Sequence, residues 1–355
     1  MGTSVGALNT AYIAAHADEP TAELVEDGAR IWAEIKWSDV LAPLVSPGEI
    51  SAVARLAGSL LLRGVSPLSL LDPAPLKSTL ERLIDFARIH ANVGAALDAC
   101  AVVATAAYAN QSVVFHDGGG APPDDDRRAI RYAATAIGND HVRASAAIPV
   151  LFPAVQVGDH WYFDGGTRLN TPIKPALALG ARRLIVIGLN SPAHAPAAER
   201  PPDLFDGAGE VIQGLLVDPL VNDIATLATI NETLAGARPS KRRRVIPYVF
   251  VAPETPNRIG QIAAETFREC YGGLRGLRRS RDLTLLGRLV DPERSPARAE
   301  LFSYLFFDGE FAKRLIALGR QDARRWTETV HDDGPWQLRR ISGSRASRRG
   351  GGRRG

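Results

Sequence analysis

Hydrophobic and polar positions along this chain follow two rhythms, and the changes between them divide it into helices and strands. Ala7-Leu-Asn-Thr-Ala-Tyr-Ile-Ala-Ala15 is small, apolar and free of proline, as the first turns of a buried helix should be. From Asp18 to Asp98 the pattern is mostly helical. Ile31, Trp32 and Ile35 fall on one side at helical spacing, residues 48–62 repeat the pattern, and Pro75 opens a further helix reaching about Asn92. Such a helical insertion over 18–98 suits either the lining of an apolar pocket or ordinary core.

Ala99 to Tyr108 reads as a buried strand and Ser112 to His116 as its hairpin partner. Asp117 to Asp126 is a loop; its triple glycine lacks the strand-to-helix setting of a phosphate cradle. Gln156 to Phe163 holds a Gly158-Asp159 turn and a strand, and a helix from Ile173 to Leu179 stops at Gly180. Arg183 to Leu189 is a continuous apolar run, the pattern of a parallel strand buried on both faces. Helices over about 209–234, a strand over 242–251, a helix over 259–275 and an amphipathic helix over 300–326 complete the series. Strands alternating with helices predict an α/β layered sheet.

Composition sharpens this picture in two places. Cys100 and Cys270 are the only cysteines of 355 residues, which excludes a disulfide framework and a cysteine-based metal site. No apolar run approaches the ~20 residues that cross a bilayer, and no basic region followed by an apolar stretch opens the chain. A reducing, cytoplasmic setting is the expectation. The formal charge of +3 misleads, because Arg339 to Gly355 carries seven arginines and no acid; without them the remainder stands at −4. Residues 331–355 are therefore expected to form a disordered basic tail, either merely solvated or in peripheral contact with an anionic membrane. Nothing beside it supplies an aromatic platform or reading motif for specific nucleic-acid binding.

The candidate chemistry begins at Gly2-Thr-Ser-Val-Gly6, a Gly-x-Ser-x-Gly string opening a helix. A serine on a tight strand-to-helix turn needs neighbours without Cβ atoms, and the turn aims the helix N-terminus at any oxyanion formed there. Ser4 is the candidate nucleophile, Gly2 and Gly6 the elbow glycines, and the Val5 N–H an oxyanion donor. The second candidate is Asp164, which ends the strand Trp161-Tyr162-Phe163 and precedes Gly165 and Gly166. A carboxylate there faces the crevice where open α/β sheets hold ligands, although Asp-Gly-Gly is equally good turn chemistry.

Three blocks in this order resemble the patatin-like phospholipases: Gly2 to Asn9, Ala144-Ser-Ala-Ala-Ile-Pro-Val-Leu-Phe-Pro153, and Tyr162 to Gly166. Asn170, Pro172 and the stretch 176–187 are also similar to that family. The resemblance implies a three-layer α/β/α fold with a mostly parallel central sheet, here short of its first strand or strands. It implies one acyl hydrolase domain over residues 1–330, and a Ser4–Asp164 dyad cleaving lipid esters through an acyl-serine, with no metal or cofactor. Family members also carry a glycine-rich oxyanion loop and a strand ahead of the elbow. Neither precedes Gly2, so an N-terminally incomplete, impaired hydrolase is expected. Two alternatives stay open: an inactive pseudo-hydrolase that binds lipid or a protein partner, and an α/β-hydrolase with a Ser-Asp-His triad drawing on His194 or His331.

Overall fold

One strand orders the architecture. The structure, a computed structural model, describes residues 1–44, 69–193, 201–216, 218–235, 244–329 and 332–339. Strand β2 (Ala99–Ala106) is built from alanine, valine, cysteine and threonine, and Val102, Val103 and Ala104 are fully buried. Along one edge it pairs over its whole length, antiparallel, with β3 (Gln111–Gly118). The other edge is shared by two strands placed end to end. The two-residue β1 (Gly2–Thr3) runs parallel to β2, with Thr3 opposite Val103, and β6 (His160–Asp164) runs antiparallel, with Asp164 opposite Ala104.

Strands β4 (Ile130–Ala134) and β5 (Val155–Val157) close the outer edges, giving the order β4-β3-β2-β6-β5 with β1 on β2. The sheet is mixed, since β1·β2 and β3·β4 are parallel and the other pairs antiparallel. The α/β expectation holds.

Side chains of β2 alternate between two cores, as a pleated strand requires. Cys100, Val102 and Ala104 face a large core shared with helix α1 (Val5–Ala15), while Ala101 and Val103 face a smaller one with Leu179. Helix α1 turns Ala7, Ala11, Ala14 and Ala15 inward, and these small residues let it lie close to the sheet. Buried Asn92 donates to the carbonyls of Ala14 and Ala15 at 2.9 and 3.2 Å, satisfying the end of that helix.

The 18–98 region is helical where described: α2 (Thr21–Glu34), α3 (Trp37–Val40), α4 (Ala74–Leu83) and α5 (Phe86–Asn92). The helix expected from Pro75 to Asn92 is thus two, because Asp85 caps a fresh start by accepting from the Ala87 N–H at 3.0 Å. The repeat over 48–62 lies outside the described residues. Helix α6 (Asn139–Ser145) precedes β5, and α7 (Gly166–Leu169) and α8 (Ile173–Ala178) follow β6.

Beyond Gly180 a second, two-stranded parallel sheet joins β7 (Leu184–Ile187) to β8 (Tyr248–Val251). The expectation that the 183–189 run is buried on both faces fails. Ile185 and Ile187 are 68% and 74% exposed, because only the Leu184 and Val186 face has a core to pack against. Helices α9 (Leu204–Leu216) and α10 (Asp218–Ala235) lie between these strands, followed by α11 (Arg258–Tyr271), α12 (Gly273–Arg279) and α13 (Arg281–Val290). The single helix expected over 300–326 is broken into α14 (Pro296–Ser303) and α15 (Gly309–Glu328). Asp308 starts the second by accepting from the Glu310 and Phe311 N–H groups, and is itself held by Tyr271 Oη at 2.7 Å and Arg279 Nε at 3.0 Å.

Residues 332–339, assigned by composition to the tail, instead lie along β8. Tyr248 and Gln337 exchange both backbone hydrogen bonds, and Tyr248 Oη donates to the Arg339 carbonyl at 2.7 Å. Among the described residues no helix is long and apolar enough to cross a membrane.

Candidate functional site

Ser4 stands between the end of β1 and the start of α1 with φ 55° and ψ −129°, a left-handed conformation that costs a side-chain-bearing residue of order 1–3 kcal/mol. The turn is made possible by Gly2. A Cβ there would lie 2.0 Å from the Gly6 carbonyl oxygen and 2.5 Å from Thr10 Oγ1. Gly6 is different, for a Cβ at that position meets nothing within 4 Å. The expectation that both glycines are needed to close the turn holds for the first alone; Gly6 leaves the space beside the serine open.

The serine is only partly buried and Val5, next to it, is exposed. The Val5 N–H sits in the first turn of α1, where a helix has no acceptor of its own. No acid occupies that turn, so its partial positive charge is not neutralised locally.

Asp164 ends β6 one register step from Thr3, as the shared edge of β2 dictates. Its carboxyl is completely buried. Oδ1 accepts from the Gly166 N–H at 2.7 Å, and Oδ2 is enclosed without a protein hydrogen-bond partner of full geometry. Gly165 has to be glycine because a Cβ would stand 2.2 Å from the Val103 carbonyl oxygen of β2. Burial pushes the Asp164 carboxyl up to about 7, opposed by the Ser4 hydroxyl and the Gly166 N–H. The Ser4 hydroxyl is therefore near the carboxyl, without a hydrogen bond of full geometry to it. The pair is adjacent and not tightly hydrogen-bonded.

A short crossing segment ties the two halves together. Ser145, fully buried at the end of α6, receives the Ser4 N–H on both its carbonyl and its Oγ at 3.1 Å. The same carbonyl takes the Gly165 N–H at 3.4 Å, and the Ala147 carbonyl takes the Asp164 N–H at 2.8 Å. The sequence marks this segment as a run of small residues, the signal of a backbone that must pass close to two others, within the block Ala144 to Pro153 singled out above. Tyr304, just after α14, was not legible at all. Burial first, then the carboxylates of Glu300 and Asp164, drive its phenol upward and keep it protonated, so the far end of the chain reaches the electrostatic field of the site.

The structure thus brings together Ser4, Val5, Asp164, Gly165 and Gly166, with Gly2 beneath them. His194 and His331 lie outside the described residues, and among those described no histidine bonds to Ser4 or Asp164. A family model described as patatin-like phospholipase matches residues 1–177, a span that holds Ser4, the Ser145 crossing and Asp164. No curated protein matches the chain.

Proposed function

Because the chain belongs to the patatin-like phospholipase family through residues 1–177, we propose that it is a serine acyl hydrolase cleaving carboxylic esters of lipids with a Ser4–Asp164 dyad. The family assignment supports the class, a lipid acyl hydrolase. The observation that carries the finer assignment is the buried carboxyl of Asp164, its Oδ2 unpartnered beside a serine held at positive φ on a helix N-terminus.

In this scheme Ser4 Oγ attacks the ester carbonyl while its proton passes to Asp164 Oδ2. The carbonyl π electrons move onto oxygen, and the oxyanion faces the Val5 N–H and the positive end of α1. Collapse expels the alcohol, which takes the proton from Asp164, and leaves acyl-Ser4. Water then attacks with Asp164 again as base, and the fatty acid leaves with Ser4 restored. A carboxyl near pH 7 suits this task, since a base works best when its proton affinity matches the medium. The proposed domain, expected over residues 1–330, takes in the 332–339 stretch paired to β8, and its substrate is met at the surface of a membrane or lipid aggregate.

The test is labelling by a fluorophosphonate probe together with hydrolysis of a soluble short-chain ester. Ser4→Ala and Asp164→Asn should each lose activity by at least about 10³, and Ser4→Ala should lose labelling. His194→Ala and His331→Ala should retain both. Collapse of either histidine variant would favour a triad, and absence of labelling in the wild-type chain would return it to a lipid-binding pseudo-hydrolase.

A further inference from the structure

Helices α12 and α13 carry exposed leucines and arginines and, within their own residues, no exposed acid. Leu274, Leu277, Leu285 and Leu289 are between 41% and 76% exposed. Arg275, Arg278, Arg281 and Arg288 are exposed beside them and make no ion pair among the described residues. The two helices dock through small groups on their inner sides. A Cβ on Gly276 would meet the Tyr271 carbonyl at 2.3 Å and Thr284 Oγ1 at 2.9 Å, and Leu283, Thr284, Leu286, Gly287 and Val290 are all buried. This inward packing leaves Arg281, Leu285, Arg288 and Leu289 on the opposite stripe of α13, at i, i+4, i+7 and i+8. The remaining arginine, Arg279, is engaged by Asp308, and Asp282, the sole acid of the pair, accepts the Leu44 N–H at 2.7 Å.

We propose that the outer face of α12 and α13 docks the protein on an anionic lipid bilayer, with the leucines entering the acyl boundary and the arginines meeting lipid phosphates. Exposed leucines alone would serve any apolar partner; four guanidinium groups that make no ion pair among the described residues, interleaved with them, select a surface that is apolar beneath and negative above. The assignment extends the lipid acyl hydrolase proposed above by naming where that enzyme meets its substrate phase. It is separate from the arginines beyond Arg339.

The experiment is co-sedimentation of the full chain carrying Ser4→Ala with vesicles of phosphatidylcholine, with and without phosphatidylserine. Wild-type surface residues should give partitioning that requires phosphatidylserine and weakens with salt. Replacing Arg275, Arg278, Arg281 and Arg288 together by Gln, with the C-terminal arginines intact, should lower the partition coefficient by at least about a hundredfold, at about 1 kcal/mol per arginine. Leu274→Ser with Leu289→Ser should lower it by about tenfold, and this loss should persist at high salt. Partitioning unchanged in the arginine variant, or absent in the wild-type surface, overturns the assignment. So does a concentration-dependent dimer that the leucine variant abolishes. The same variants built on active Ser4 should hydrolyse the soluble short-chain ester at the wild-type rate. A chain that binds vesicles without hydrolysing that ester would refute the dyad and leave the docking face standing, and the converse would refute the docking face alone.

Discussion

Ser4 and Gly165 donate their backbone N–H groups to one oxygen, the carbonyl of Ser145, at 3.1 and 3.4 Å. The turn at Ser4 and the turn after Asp164 are thereby fixed to a single point, although some 160 residues separate them in the chain. A side chain at the site is only as well placed as the backbone holding it.

Ser145→Ala keeps that carbonyl and removes only Oγ, the second acceptor of the Ser4 N–H. Stability should fall by about 1 kcal/mol, the worth of one buried hydrogen bond. Initial-rate kinetics should show kcat reduced severalfold with KM unchanged, because this serine is fully buried. A rise in KM alone would contradict a positioning role.

Ester hydrolysis should rise with pH through a midpoint near 7, where Asp164 becomes the carboxylate that accepts the Ser4 proton. Stability should move the other way. The folded protein holds the Asp164 proton up to about 7, whereas an unfolded carboxyl releases it near 3.8. Between those values the native state binds more protons than the unfolded one, so stability declines as pH rises through the window and levels off above it. Asp164→Asn keeps the Oδ1 acceptor and removes the ionisation, so denaturant melts at pH 8 should show it more stable than wild type by roughly 2–4 kcal/mol. An equal or lower stability would show that Asp164 is not held as described.

The glycines make opposite predictions. Gly2→Ala and Gly165→Ala force a Cβ to 2.0 and 2.2 Å from backbone oxygens, so both variants should lose activity together with cooperative unfolding or soluble expression. Gly6→Ala meets empty space and lies in the first turn of α1, so it should fold and gain up to about 1 kcal/mol of helix stability. Circular dichroism melts of the three variants decide the matter.

Arg298 is buried between α9 and α14, donates to the Val290 carbonyl at 2.7 Å, bonds to Asp203, and stacks its guanidinium 5.0 Å over the Phe205 ring. Arg298→Met would remove a cation 3.6 Å from the buried Asp206 carboxylate, which still accepts from Ser295 Oγ and the Asp203 N–H. Such one-sided removals cost about 3–5 kcal/mol, and denaturant melts should show the loss. Adding Asp206→Asn should recover part of it, and failure to recover would locate the cost in lost packing instead.

The strands and helices that pattern reveals were those with a core on one or both sides. Residues 99–106, 160–164 and 173–178 were legible because their apolar spacing answers directly to burial. Ile185 and Ile187 misled, since an apolar run states what a strand tolerates and not whether a second layer exists to cover it. The break at Tyr304 to Asp308 escaped because it depends on Tyr271 and Arg279, some 30 residues upstream, meeting Asp308. Within the site, Ser4 and Asp164 were legible as motifs, each with its own glycine. Ser145 lies in the block 144–153 that the sequence singles out, but its part as a backbone staple is not written there, and Tyr304, an electrostatic neighbour, leaves no local signature.

Since β1 and β6 occupy successive stretches of one edge of β2, neither half of the proposed dyad can be located until residues near 100 have met both residues near 3 and residues near 163. Gly2 meets Val102 and Ala104 meets Asp164 across long stretches of chain, and distant contacts close slowly. On refolding from denaturant, helical signal should return first and ester hydrolysis last, so that enzymatic recovery becomes a clock for the completion of that single seam.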